Sequence, residues 1–399
     1  MRLILRTLPT LVVLLTAACG QISDVGTAPP EPGVENPAAA ATAPEVGHGA
    51  WTRLPESPLS PREGTATAYV GGEVVFVGGY VGQPCPPNAD CARPGDAVAR
   101  DGAAYDLVAG TWRRIADAPR PVPGMAPTAV VGEHLYVLAD ETLLVWDSVV
   151  DSWDEVPPPG AVRWSGLVAD GTRLVMASSS DENGVLPDRV LDTDTGEWSS
   201  LPEDPLGPSF DRMVTPTPEG LVLTAKPIQP DGSPADPALV HAALLPAEGR
   251  AWRTLPASDQ LGGWRWSWTG RRLVDPTLGG ADGGETNGFG RVIPYGGRLD
   301  PATGAWSPLP DAPTEGTGGW PVEAPGGPLV AAEGWLYDDA DGAWTRLPRP
   351  EDSPATPGSA VWAGDVLVVH GGADWDLPAE AEWTPGNVWS TGVWAYRAD

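Results

Sequence analysis

The sequence predicts an all-β fold assembled from one repeated antiparallel unit. Three observations predict it. A Trp follows an aromatic or aliphatic residue at a fixed step of seven, as in Tyr105 and Trp112, Trp146 and Trp153, Leu191 and Trp198, Leu245 and Trp252, Leu299 and Trp306, and Tyr337 and Trp344. The residues between are turn formers, as in Asp192-Thr-Asp-Thr-Gly196, Asp300-Pro-Ala-Thr-Gly304 and Asp338-Asp-Ala-Asp-Gly342. Gly (50) and Pro (47) are abundant among the 399 residues, and long helical periodicity is absent. Short strands with Gly/Pro turns at regular spacing argue for an all-β domain.

The step of seven makes a hairpin. Asp opens a turn by accepting from the backbone just ahead of it, and Gly supplies the positive φ that closes it. Three to five such residues between apolar runs read as a β-hairpin. Side chains alternate across a strand, so the residue before the turn and the Trp after it share one face and pair across the strands. Most of these Trp lead into a short apolar-Pro exit: Trp198-Ser-Ser-Leu201-Pro202, Trp252-Arg-Thr-Leu255-Pro256, Trp306-Ser-Pro-Leu309-Pro310, Trp344-Thr-Arg-Leu347-Pro348 and, more loosely, Trp153-Asp-Glu-Val156-Pro157.

Each unit adds two strands ahead of that hairpin. In the first, Thr65-Ala-Thr-Ala-Tyr-Val70 turns at Gly71-Gly72 into Glu73-Val-Val-Phe-Val77. First strands recur at Thr128, Ser165, Met213, Trp266, Trp320 and Ser359, and second strands at Leu135, Arg173, Leu221, Leu273, Leu329 and Val366. This makes seven units, with six as the alternative if a weak fifth or sixth unit is irregular. The last ends at Gly392-Val-Trp-Ala-Tyr396 with no Trp strand, whereas the chain opens with an unpaired one, Ala50-Trp51-Thr-Arg-Leu54-Pro55. The N-terminal strand is therefore expected to complete the last unit and close a ring.

These residues resemble kelch repeats, the β-propeller family that includes the central domain of galactose oxidase. The likeness covers roughly 51–399 and rests on the aromatic, the Trp seven later, and a Gly-Gly after the second strand, kept only at Gly78-Gly79 and Gly371-Gly372. It implies a seven-bladed kelch-type β-propeller with four-stranded antiparallel blades over 49–399. The copper chemistry of galactose oxidase is not expected, because that site needs His, Tyr and a Tyr–Cys crosslink. The four His (His48, His134, His241, His370) are scattered here, and no sialidase or hydrolase signature is present. No cofactor and no metal are expected. The Gly-rich 279–288 reads as a flexible loop rather than a calcium loop.

The leader and the charge suggest an address. Residues 1–19 combine Arg2 and Arg6, an apolar run and the ending Leu15-Thr-Ala-Ala-Cys19, which reads as a secretory signal and resembles a lipobox with Cys19 as the lipidated residue. The 20–48 stretch, rich in Ala and Pro and without aromatics, reads as a disordered tether. Cys85 and Cys91 remain as a pair in a Pro-rich loop and are expected to form a disulfide in an oxidising compartment. The formal charge of −29 disfavours nucleic acid, whose binding needs a basic footprint. The expected setting is the cell envelope, extracytoplasmic, with the chain a monomer tethered to the membrane through Cys19.

Candidate site residues fall on one face. The loops after the second strands, 80–100, 178–188, 226–237, 276–294 and 373–391, are long, and the opposite face has tight turns. Function is expected on loops held by a rigid scaffold. Arg62, Arg163, Arg212 and Arg265, with Arg120 slightly earlier, precede or open first strands. Gathered at the channel mouth they would suit a carboxylate, sulfate or phosphate. Otherwise each bonds blade carbonyls or pairs with Glu63 or Asp211. Trp264, with Trp266 and Trp268, and Trp383 and Trp389, with Trp375, could stack on sugar rings or cover blade edges. The expected function is a binding module for an acidic or other glycan, or for an envelope protein. The alternative is a small-sugar enzyme resembling a sialic-acid mutarotase, with an Arg and a carboxylate acting at the mouth.

Overall fold

The computed structural model describes residues 44–86, 88–91, 94–158, 160–162, 165–228, 237–277, 293–294, 296–310, 319–324, 326–378 and 381–398. They fall in one compact unit, Thr42–Asp399. The leader 1–19, with Cys19, and the tether as far as residue 43 lie outside the described residues.

Seven antiparallel sheets form the blades of a propeller. Blade one is Ala66–Val70, Glu73–Val77, Gly102–Asp106 and Thr111–Ile115, and blade two is Thr128–Val131, His134–Ala139, Thr142–Asp147 and Ser152–Val156. Blade three is Ser165–Asp170, Arg173–Ser178, Arg189–Asp192 and Trp198–Ser200, and blade four is Ser209–Thr217, Gly220–Pro227, His241–Pro246 and Arg253–Thr254. Blade five is Ser267–Trp268, Leu273–Asp275, Gly297–Asp300 and Ala305–Pro308. Blade six is Val330–Ala332, Trp335–Asp338 and Ala343–Arg346, and blade seven is Thr356–Ala363, Val366–Ala373, Val393–Arg397 and the N-terminal Trp51–Arg53. The closing strand pairs as expected, with Trp51 opposite Tyr396 and Arg53 opposite Trp394.

Blade six departs from the expectation of a first strand at Trp320. Among the described residues its inner position is a single bridge, Ala324 to Ala331, beside a three-stranded sheet. Trp320 and Val322 are instead completely buried in the seam with blade seven. A side chain of that size facing a neighbouring blade competes with the regular ladder, and here packing prevails.

The hairpin chemistry matches the sequence pattern. Tyr105 pairs with Trp112, Trp146 with Trp153, Leu191 with Trp198, Leu299 with Trp306 and Tyr337 with Trp344. The Asp106 carboxylate accepts from the N–H groups of Val108 and Ala109, both at 2.8 Å. Asp147, Asp192, Asp300 and Asp338 do the same in their own turns. At Asp147 and Asp192 these backbone donors hold the carboxyl below its usual range, since they stabilise the charged form.

The apolar-Pro exit has a reason visible only in three dimensions. Six of the indoles reach back to the preceding blade and donate to the carbonyl four residues after that blade's own Trp. Trp112 bonds Pro55 O (2.8 Å), Trp153 Ala116 O (2.8 Å), Trp252 Pro202 O (2.9 Å), Trp306 Pro256 O (2.8 Å) and Trp344 Pro310 O (3.3 Å), and Trp51 bonds Pro348 O. Pro suits that position because it presents a carbonyl and carries no N–H to satisfy. The apolar residue just before it, such as Leu54, Ile115, Leu255 or Leu347, is buried between blades.

Hydrophobic clusters lie at each seam around the ring. Val75 and Leu135 share one between blades one and two, Leu143 and Leu174 between two and three, and Val175 and Leu223 between three and four. Val222 and Leu299 join blades four and five, Val274 and Tyr337 five and six, Leu336 and Leu367 six and seven, and Val74 and Val368 seven and one. The first strands of neighbouring blades approach around the axis and are stitched by hydroxyls. Ser359 Oγ donates to Thr65 O at 3.1 Å, and Thr128 Oγ1 donates to Thr67 O at 3.1 Å.

Candidate functional site

The propeller has two unlike faces. On one, first and second strands and third and fourth strands are joined by short turns. On the other, second strands connect to third strands through 78–101 in blade one, 179–188 in blade three, 228–240 in blade four, 276–296 in blade five and 374–392 in blade seven. In blades two and six the same connection is two residues, 140–141 and 333–334. Parts of the blade four and five loops, 229–236 and 278–292, lie outside the described residues, as do the Gly-rich 279–288 and Arg163.

Arg62 and Arg212 are staples at loop bases. The Arg62 side chain is buried, and its Nη1 donates to Gly78 O (2.9 Å) and Asp101 Oδ1 (2.8 Å), the two ends of the blade one loop. Its Nη2 donates to Asp101 Oδ2 (3.1 Å) and Ser60 Oγ (2.9 Å), and its Nε to Ser60 O (2.9 Å). Burial pushes the Asp101 carboxyl up, but the Arg62 hydrogen bond and charge outweigh it and hold it below the usual range. Arg212 repeats the scheme on blade three. It donates to Ser178 O (3.2 Å) and Asp188 Oδ2 (3.1 Å) at the loop ends, and also to Asp204 Oδ2 (3.1 Å) and Ser209 Oγ (3.1 Å). Asp181 lies 3.4 Å from the same guanidinium. Burial pushes the Asp188 carboxyl up against the pull of Arg212. A guanidinium has five N–H donors, and both residues direct theirs within the protein.

Trp383 and Trp389 belong to a small core above blades seven and one. With Trp375, Leu377 and Val388 they pack on Tyr80, Ala97 and Val98 of the blade one loop. The Trp375 and Trp383 rings stack at 5.9 Å, and the Trp389 ring meets Tyr80 edge-on at 6.0 Å. Gln83 Nε2 donates to Trp383 O, and Cys85 and Cys91 form the expected disulfide. The two loops therefore stand as one ridge.

Trp264 and Arg265 sit differently. Trp264 is 63% exposed, with the Arg265 guanidinium over its ring at 5.4 Å. Arg265 is held by Glu323 at 2.8 Å and Glu333 at 4.0 Å, on the blade six side. Gly262, at φ 65°, precedes this pair, and a Cβ there would meet the Val240 side chain at 2.6 Å. The tight approach anchors the backbone, so the exposed ring stands on a fixed base. Glu333 (φ 51°) and Gly334 (φ 83°) form the two-residue hairpin turn of blade six, whose geometry calls for positive φ.

The four described arginines among these candidates are each engaged by carboxylates. Each meets carboxylates of its own surroundings: Arg62 with Asp101, Arg120 with Glu155 (2.9 Å), Arg212 with its three Asp, and Arg265 with its two Glu. Sequence reasoning missed the carboxylate partners, most of which lie more than twenty residues away along the chain, as Asp101 does from Arg62 and Asp188 from Arg212. It also missed a depression of about 310 Å³ beside blade two, lined by Arg100, Arg120, Asp140, Thr142 and Glu155. Its signal in the sequence was the two-residue connection 140–141, unusual among longer ones.

The fold and this asymmetry define a β-propeller of the kind that presents a binding face on a rigid ring. Comparison with known proteins finds no matching family model and no matching curated protein, so the kelch likeness rests on the repeat pattern alone.

Proposed function

We propose that this propeller is a non-catalytic binding module of the cell envelope that recognises a glycan through its long-loop face. The carrying observation is Trp264, an exposed indole on a pinned backbone, backed by a guanidinium that two carboxylates orient. An indole face sheds apolar area against a sugar ring, and the carboxylates beside it can accept from ring hydroxyls. The kelch-type assignment is supported by the repeat markers. The extracytoplasmic, lipid-anchored placement is supported by the 1–19 leader ending at Cys19 and by the disulfide, which suits an oxidising compartment.

Calorimetric titration of the chain against a panel of neutral, amino and acidic oligosaccharides tests the reading. At least one class is expected to bind, and Trp264→Ala to weaken it by about tenfold or more, as for an aromatic anchor. A panel without a binder, or a binder indifferent to Trp264→Ala, removes the reading. Anomer exchange of a free sugar observed by NMR would favour the enzyme alternative.

A further inference from the structure

We infer that the glycan is a linear chain, neutral or cationic, laid across the long-loop face from blade two to blade six. The inference rests on the glycan reading above and adds the ligand's shape and charge.

The shape follows from which connections rise and which do not. One ridge stands on blades seven and one, where two long loops share a core and a disulfide. A second begins at blade three, whose loop is clamped to blade four by Arg212. Blades two and six lie between the long-loop blades, and each turns straight back with two residues, 140–141 and 333–334. The face is thus low at two places on different sides of the ring. Each low place carries side chains suited to a ligand. Blade two has the depression with Arg100, Arg120, Asp140 and Glu155. Blade six has Glu333, with Arg265 and Trp264 of the blade five entry beside it. Asp140 and Glu333 are the first residues of those two short turns, and both take the positive φ that such turns call for, 53° and 51°. A compact ligand would use one such place, whereas a chain crossing the mouth uses both.

The charge follows from pairing. At both ends arginines stand beside carboxylates, Arg120 with Glu155 and Arg265 with Glu323 and Glu333, while Arg100 donates to Pro119 O (2.9 Å) in a depression that Asp140 and Glu155 also line. The formal charge of the chain is −29. A polyanion would approach against that field and would meet carboxylates beside the arginines at both ends. Hydroxyl-rich or amine-bearing sugars find acceptors and an aromatic face.

The test is titration of the full chain with β-1,4-linked glucose, N-acetylglucosamine and glucosamine oligomers, disaccharide against octasaccharide, beside polygalacturonate fragments of matched length. Thr142→Trp fills the blade two depression, and Arg100→Ala opens it as a second variant on the same end, with melting curves confirming that both fold. The expected result is affinity about tenfold or more higher for the octasaccharide. Both blade two variants should weaken the octasaccharide and leave the disaccharide unchanged, and Trp264→Ala should weaken both. Equal affinity at the two lengths, or an octasaccharide indifferent to both blade two variants, overturns the linear arrangement while leaving the glycan reading standing. Tighter binding of polygalacturonate overturns the charge assignment. Absence of binding by every glycan class overturns this inference together with the reading beneath it.

Discussion

The indole of Trp51 donates to the carbonyl of Pro348, 297 residues away. The same ring packs edge-on to Trp320 at 5.2 Å and against Tyr396 at 5.1 Å. The N-terminal strand thus occupies the place that Trp112, Trp306 and their counterparts fill in other blades, and it closes the circle with the same bond.

Removal of that contact is expected to loosen the whole ring. Trp51→Ala should cost about 3 kcal/mol, at the low end for a large aromatic because the ring is only half-buried. Denaturant unfolding measures it. Truncation through Arg53 should do more than lower the midpoint. It bares the Val393–Arg397 edge, and an uncovered strand edge invites association, which light scattering will report.

Arg212→Ala is expected to destabilise the protein by about 3–5 kcal/mol, because it leaves buried carboxylates without their cation. Arg62→Ala should act in the same direction and release the ends of 78–101. Limited proteolysis should then cut the blade one loop in Arg62→Ala and the 179–188 loop in Arg212→Ala. Unchanged cleavage in both would show that the staples do not hold the loops.

Blade two carries a paired exception to the repeat. Its turn ends in Asp151 at φ 53°, where Gly110, Gly196 and Gly304 stand in other turns. The preceding exit ends in Ala116 rather than Pro, and Asp151 Oδ1 accepts both the Ala116 N–H (3.0 Å) and the Trp146 indole (2.9 Å). Restoring the repeat with Asp151→Gly is therefore expected to destabilise by about 1–3 kcal/mol despite easier backbone geometry, since two donors lose their acceptor. Ala116→Pro removes one of those donors. The double variant should lose less than the sum of the singles, a coupling that a double-mutant cycle measures.

His370 should make the fold acid-sensitive. It is buried, at 4% exposure, its Nε2 has no hydrogen-bond partner among the described residues, and its ring lies 4.7 Å from Phe76. Burial, aided by the nearby Arg62 charge, pushes it down to about 3 from 6.5. Between those values the unfolded chain binds a proton that the folded one refuses, so stability falls as pH drops from 6.5 toward 3. His370→Phe is expected to flatten that part of the profile relative to the parent, by several kcal/mol at the acid extreme. Parallel profiles in thermal melts would refute it.

Much of the fold was legible because its causes are local. Asp at the head of a turn and a Trp six residues later dictate a hairpin, and the five copies at Asp106, Asp147, Asp192, Asp300 and Asp338 dictate five hairpins. The surplus strand at Trp51 and the missing one after Tyr396 even announced the closure. The site was less legible. Arg62 and Arg212 looked alike to Arg265 along the chain, since all three lie near the start of a first strand. What separates them is which carboxylates stand within reach, and Asp101, Asp188 and Glu323 are brought there by the folding of other segments.

The sequence alone thus determined the repeat, its turns, the closing strand and the pairing of Cys85 with Cys91, because each depends on neighbours in the chain or on simple arithmetic of partners. Only the tertiary structure decided that Trp389 is spent on a loop core at 3% exposure while Trp264 faces solvent, and that Arg62 secures a loop. Exposure and charge pairing are properties of what surrounds a side chain, and those surroundings are assembled from residues as remote as Trp51 and Pro348.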